Sequence, residues 1–149
     1  MPPSAKHALR AMLFGSLAGG GPFMLITVAI AFESSSNSLT ETLALLFMPL
    51  LIAAAIVVPA FLLIGLPLTA LYRRQNMEKR RIYGFSGLIT GLLVPFAIVT
   101  IIMGELGVGF AALLSLPGAL AGFITGFVWG GWRESLGTFD TDALSREFE

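Results

Sequence analysis

Four long stretches of this 149-residue chain, 11–32, 43–72, 82–104 and 106–132, contain no Asp, Glu, Lys or Arg. Together they hold 102 residues, so all 18 charged side chains are confined to the other 47. A water-soluble helical domain needs a polar face on its helices, and none of these stretches has one. Each is also long enough to cross a hydrocarbon core of about 30 Å at about 1.5 Å per residue. The expected fold is an all-α integral membrane protein, a four-transmembrane-helix bundle. It forms a single membrane-embedded domain, with spans near 11–32, 49–72, 83–103 and 108–132 and a tail over 133–149.

Composition narrows the chemistry. Only 12% of residues are charged, against roughly a quarter in soluble domains. With no cysteine, disulfides, thiolate nucleophiles, CxxC redox pairs and cysteine metal sites are excluded. The longest segment outside the spans is the 17-residue tail, too short for a separate domain that binds nucleic acid or a large soluble substrate.

The basic residues give a direction. Lys6 and Arg10 precede the first span, Arg73, Arg74, Lys79, Arg80 and Arg81 lie between the second and third, and Arg133 and Arg146 follow the fourth. With four spans these segments share one side, which carries nine basic and six acidic residues, a net +3. The opposite loops hold only Glu33, Glu41 and Glu105. The positive-inside rule then places both termini in the cytoplasm, with the chain in a bacterial-type inner membrane. Tyr72, Tyr83, Trp129 and Trp132 fall near the same level, as expected of interfacial anchors. The opening residues also resemble a signal peptide ending at Ala29-Ile30-Ala31, which would leave three spans if cleaved. A run of about 22 apolar residues is longer than the usual h-region of about 7 to 15, which favours a retained span.

Every span contains an internal proline, and the expected helices are kinked there. Pro22 follows Gly19-Gly20-Gly21 in the first span, and Ser16 and Thr90 are near enough in sequence to satisfy freed carbonyls. The second stretch is too long for a simple crossing, since 30 helical residues reach about 45 Å. The expected span therefore starts near Pro49, with 39–48 partly in the interface and a capping box at Ser38 and Glu41 opening the helix. Gly15-xxx-Gly19 before Pro22 and Gly87-xxx-Gly91 before Pro95 recur at an offset of 72 to 73 residues. This is a faint sign of two parallel-repeat helical hairpins.

The most specific motif is a glycine ladder, Gly118, Gly122, Gly126 and Gly130, which places a groove about 18 Å long on one face of the fourth span. Without a hydrophobic drive between helices in lipid, close backbone approach gains dispersion contacts instead. The ladder either seats the first or third span inside the monomer, with Ala11, Gly15 and Gly19 as a complementary small face, or forms an interface with another chain. Arg73, Arg74, Lys79, Arg80 and Arg81 act as topology determinants or contact anionic lipid. In the tail, Leu136, Phe139, Leu144 and Phe148 either dock on a partner or belong to a disordered or short surface helix.

No ionisable group lies within the spans, where one costs roughly 2.5 to 3.5 kcal/mol and usually marks function. The lone histidine, His7, lies outside them. Ser16, Thr27, Ser86, Thr90, Thr100, Ser115 and Thr125 have no neighbouring base and are expected to bond carbonyls of their own helix. No catalytic residue, metal site or cofactor is expected, and the chain is expected not to be an enzyme. The expected function is that of an accessory or scaffolding subunit of a membrane complex, acting through glycine-mediated helix packing. Its partners are then the lipid bilayer and other membrane helices, in a homo-oligomer or with another membrane protein, and not nucleic acid. The alternative is a small channel or facilitator for a small or neutral solute, because irregular backbone at membrane depth is tolerated where it borders a cavity.

Overall fold

A computed structural model describes the backbone of residues 3–33, 38–75 and 77–147, with side chains at 4–31, 38–75, 77–104 and 107–136. Its elements are α1 (Pro3–Glu33), α2 (Leu39–Ala60), a π-helical turn (Phe61–Gly65), α3 (Leu66–Arg74), α4 (Arg80–Met103), a 3-10 turn (Gly104–Gly107) and α5 (Val108–Glu147). No strand occurs among the described residues. Four segments are long and apolar enough to cross a membrane: Ser4–Ala31, Leu39–Arg74, Arg80–Met103 and Val108–Leu136.

Local chemistry explains the ends. Ser38 Oγ accepts from the Glu41 amide at 3.3 Å, and Glu41 returns the bond to the Ser38 amide at 3.1 Å, so the expected capping box opens α2. Gly104, at φ 63° and ψ −150°, ends α4 in a conformation essentially reserved for glycine. The π turn sits between Pro59 and Pro67, neither of which can donate to the helix ladder. The Leu66 amide accordingly bonds to the Phe61 carbonyl five residues back.

Two helices run past the expected span limits. Residues 39–48 belong to the same helix as 49–60, because Pro49 removes one bond that the turns on either side outlast. Leu39–Arg74 spans 36 residues, about 54 Å, and still projects about 41 Å at a tilt of 40°. The backbone of α5 continues past Trp132 to Glu147. The side chains of Glu33, Glu105, Phe139, Leu144 and Arg146, and all of Phe148, lie outside the described residues.

The helices are ordered α4, α5, α1, α2, with the closest packing between α4 and α5, and α1 resting on both α5 and α2. The buried positions are mostly small, among them Ala11, Ala111, Ala121, Ser16, Ser115 and Thr125. Large apolar side chains point outward instead, with Ile101 82%, Leu63 75% and Leu25 74% exposed. A soluble core has the reverse arrangement, whereas helix packing through small residues suits an apolar solvent. The two glycine pairs of the sequence repeat meet different surfaces: Gly87 and Gly91 lie on Gly118 and Gly122, Gly15 and Gly19 on Ala121 and Thr125.

Candidate functional site

The ladder is occupied from within the chain. A Cβ built on Gly122 would overlap the Gly87 carbonyl, one on Gly118 the Gly91 carbonyl, and one on Gly126 the Tyr83 carbonyl. At Gly130 it would come within 2.7 Å of the Tyr83 Cβ. The complementary face is therefore on α4, not the Ala11, Gly15 and Gly19 face of α1. Those residues pack against a second small face of α5, where a Cβ on Gly15 would overlap the Thr125 hydroxyl and one on Gly19 would lie 3.0 Å from the Ala121 Cβ. Because α5 has helices on two sides, it needs two small faces. The spacing of Ala121 and Thr125 was the available sequence signal for the second.

Most of the hydroxyls along these helices turn back on their own backbone as expected, but the Thr100 hydroxyl is buried with no hydrogen-bond partner among the described residues. Ser16 donates to the Met12 carbonyl at 2.8 Å, Ser115 to Ala111 at 2.6 Å and Thr125 to Ala121 at 2.7 Å. Thr27 and Ser86 reach carbonyls three residues back. Ser16 does not serve the carbonyl freed near Ala18, because a helical hydroxyl reaches toward the preceding turn.

The three segments that carry the basic residues meet at one end. His7 stacks on Trp132 with ring centroids 5.2 Å apart. Arg133 forms an ion pair with Glu78, its Nε donating at 3.0 Å, and the Arg80 amide donates to the Glu134 carboxylate at 3.1 Å. The five loop cations are placed differently. The Arg80 guanidinium lies 3.6 Å from the Phe127 ring centroid, a cation–π contact. Lys79 caps α4, and its side chain, like that of Arg81, is exposed. Arg73 and Arg74 close α3 and line a recess with Arg133.

The aromatic residues gather at the same end, but Tyr83 and Trp129 are buried in the bundle instead of standing at its surface. Phe61 meets Trp129 edge-on at 5.3 Å, and Tyr72 meets Tyr83 at 5.1 Å. The Trp129 indole donates to the Thr69 hydroxyl at 2.9 Å, and Thr69 donates in turn to the Gly65 carbonyl at 2.8 Å. Aromatic pairing and, for Trp129, a satisfied indole N–H hold these two rings within the bundle.

Beyond this cluster an apolar cleft of about 110 Å³ separates α2 and α3 from α4, with α5 as its floor. Ile56, Ile64 and Leu68 line one wall, Thr90 and Val94 the other, and Ala121 the floor. It follows α2 and α3 from Ile56 to Leu68, about 18 Å at about 1.5 Å per residue. Among the described residues no group of three His, Asp or Glu side chains is placed to hold a metal ion. No family model matches the chain, and neither the curated proteins nor the solved structures compared with it contain a match.

Proposed function

We propose that the chain is a non-enzymatic multi-pass protein of a bacterial-type inner membrane, with its basic end in the cytoplasm and its helices bent at the internal prolines. It serves as an accessory or scaffolding subunit that presents helical surface to another membrane protein. The observation that supports this reading is the free edge of the bundle. Among the described residues helix α2 packs mainly on α1, and none of its residues is buried. The glycine ladder is already filled by α4, so the surface offered is α2 and the rim of the cleft behind it, where a neighbouring helix inserts side chains.

Passage of a solute has less support. The cleft covers about 18 Å of a core of about 30 Å and ends against the Tyr72, Tyr83 and Trp129 rings. The hydroxyls at Ser86 and Thr125 on its walls are turned to backbone.

The cysteine-free chain allows a clean crosslinking test. A photoreactive maleimide on Ile56→Cys, at the cleft rim, is expected to capture one membrane protein that also co-purifies stoichiometrically in mild detergent. The same probe on Leu113→Cys, on an exposed face of α5, is expected not to. A monomer crosslinked to no chain from either position refutes the proposal, and a homo-oligomer with solute flux in liposomes replaces it with the channel reading.

A further inference from the structure

The recess at the basic end lies between α3 and α5, has a volume of about 580 Å³, and is lined by Leu66, Thr69, Ala70, Arg73, Arg74 and Arg133. Arg73 and Arg74 from α3 and Arg133 from α5 bring three positive charges to it, which repel one another unless negative charge joins them. Glu78 neutralises Arg133, while the side chains of Arg73 and Arg74 have no ion pair or hydrogen bond among the described residues. Among the described residues the recess therefore keeps two uncompensated positive charges.

Its other wall residues are of a different kind. Leu66 and Ala70 are exposed and precede Arg73 and Arg74 by about two turns and one turn on the same helix, so the recess passes from apolar to cationic over about 10 Å. The Tyr83 hydroxyl is buried with no hydrogen-bond partner among the described residues. We propose that this recess binds the phosphate-bearing headgroup of an anionic membrane lipid, with Arg73, Arg74 and Arg133 on the phosphate and an acyl chain along Leu66 and Ala70. The guanidinium fork suits phosphate bidentately, and basic pockets between membrane helices bind such headgroups. A soluble phosphate would use the same arginines but has no use for the apolar wall. Lys79 and Arg81 lie outside the recess.

Native mass spectrometry of the purified full chain, with phosphatidylglycerol and phosphatidylcholine as probes, tests this assignment. One phosphatidylglycerol is expected to stay bound per chain in preference to phosphatidylcholine. Arg73→Gln with Arg74→Gln is expected to weaken it about 30-fold, from about fivefold per arginine. Both arginines are exposed, so the thermal melt of the pair checks that the fold survives. Lys79→Gln with Arg81→Gln removes the same charge outside the recess and is expected to change affinity less than twofold. Equal retention of the two lipids, or equal loss from the two charge-matched pairs, overturns the site, because either means diffuse attraction at most. Displacement by millimolar inorganic phosphate overturns the lipid assignment. None of these outcomes depends on whether α2 binds a partner protein.

Discussion

Placing a single methyl group on the ladder tests the packing most directly. In Gly122→Ala the new Cβ has no rotamer to escape into, and the atom it meets is the Gly87 carbonyl, which is main chain. The two helices must therefore separate along the whole crossing. A gap of 0.5 to 1 Å forfeits about a quarter to a half of each atom-pair contact, each worth about 0.1 to 0.2 kcal/mol. Over about forty such pairs, the number a single buried leucine makes, the loss is about 1 to 4 kcal/mol. Overpacking of tight cores costs about 1 to 3 kcal/mol, in agreement. Gly87→Ala, which meets the Gly122 carbonyl from the other side, is expected to cost about the same. Gly109→Ala is the control, since its Cβ meets nothing within 4 Å. There the better helix propensity of alanine leaves stability unchanged or raised by up to about 1 kcal/mol. Equilibrium unfolding in mixed micelles, followed by fluorescence of the buried Trp129, measures the difference. If Gly122→Ala and Gly87→Ala unfold with the Gly109→Ala control, the close approach of α4 and α5 is wrong.

Three further substitutions read other parts of the fold. Gly104→Ala, at φ 63°, is expected to cost about 1 to 3 kcal/mol from backbone strain alone, and the same unfolding assay should separate it from Gly109→Ala. Ser38→Ala removes the cap that accepts from the Glu41 amide and is expected to cost about 1 kcal/mol. Faster hydrogen exchange confined to the first turn of α2 is its signature. Trp129→Phe keeps the ring contact with Phe61 but loses the bond to Thr69, an expected cost of about 0.5 to 1.5 kcal/mol. A double-mutant cycle with Thr69→Val should recover that coupling, and a coupling near zero removes the bond from the account.

Much of this architecture is local or one-dimensional, and that part was legible in the residues. The charge-free runs set four apolar helices because backbone groups outside water must be satisfied within each segment. The Ser38 and Glu41 spacing places the start of α2 through bonds only three residues apart. The segments holding Lys6, Arg73 and Arg133 fall at one end because four antiparallel helices leave no other arrangement.

The partners of each face were not legible, for a physical reason. A glycine every fourth residue admits any helix that can approach closely, so Gly118 to Gly130 describe a groove without naming what fills it. The tertiary structure selects α4, because Gly87 and Gly91 carry the matching gaps, and sends Gly15 and Gly19 to a different face of α5. The basic loop likewise reads as one run of cations, yet the fold turns Arg80 onto Phe127 and joins Arg73 and Arg74 to Arg133, 59 residues further along. Helix formation and charge sidedness depend on what each segment contains. The packing and the recess depend on which segments meet, which only the closed bundle decides.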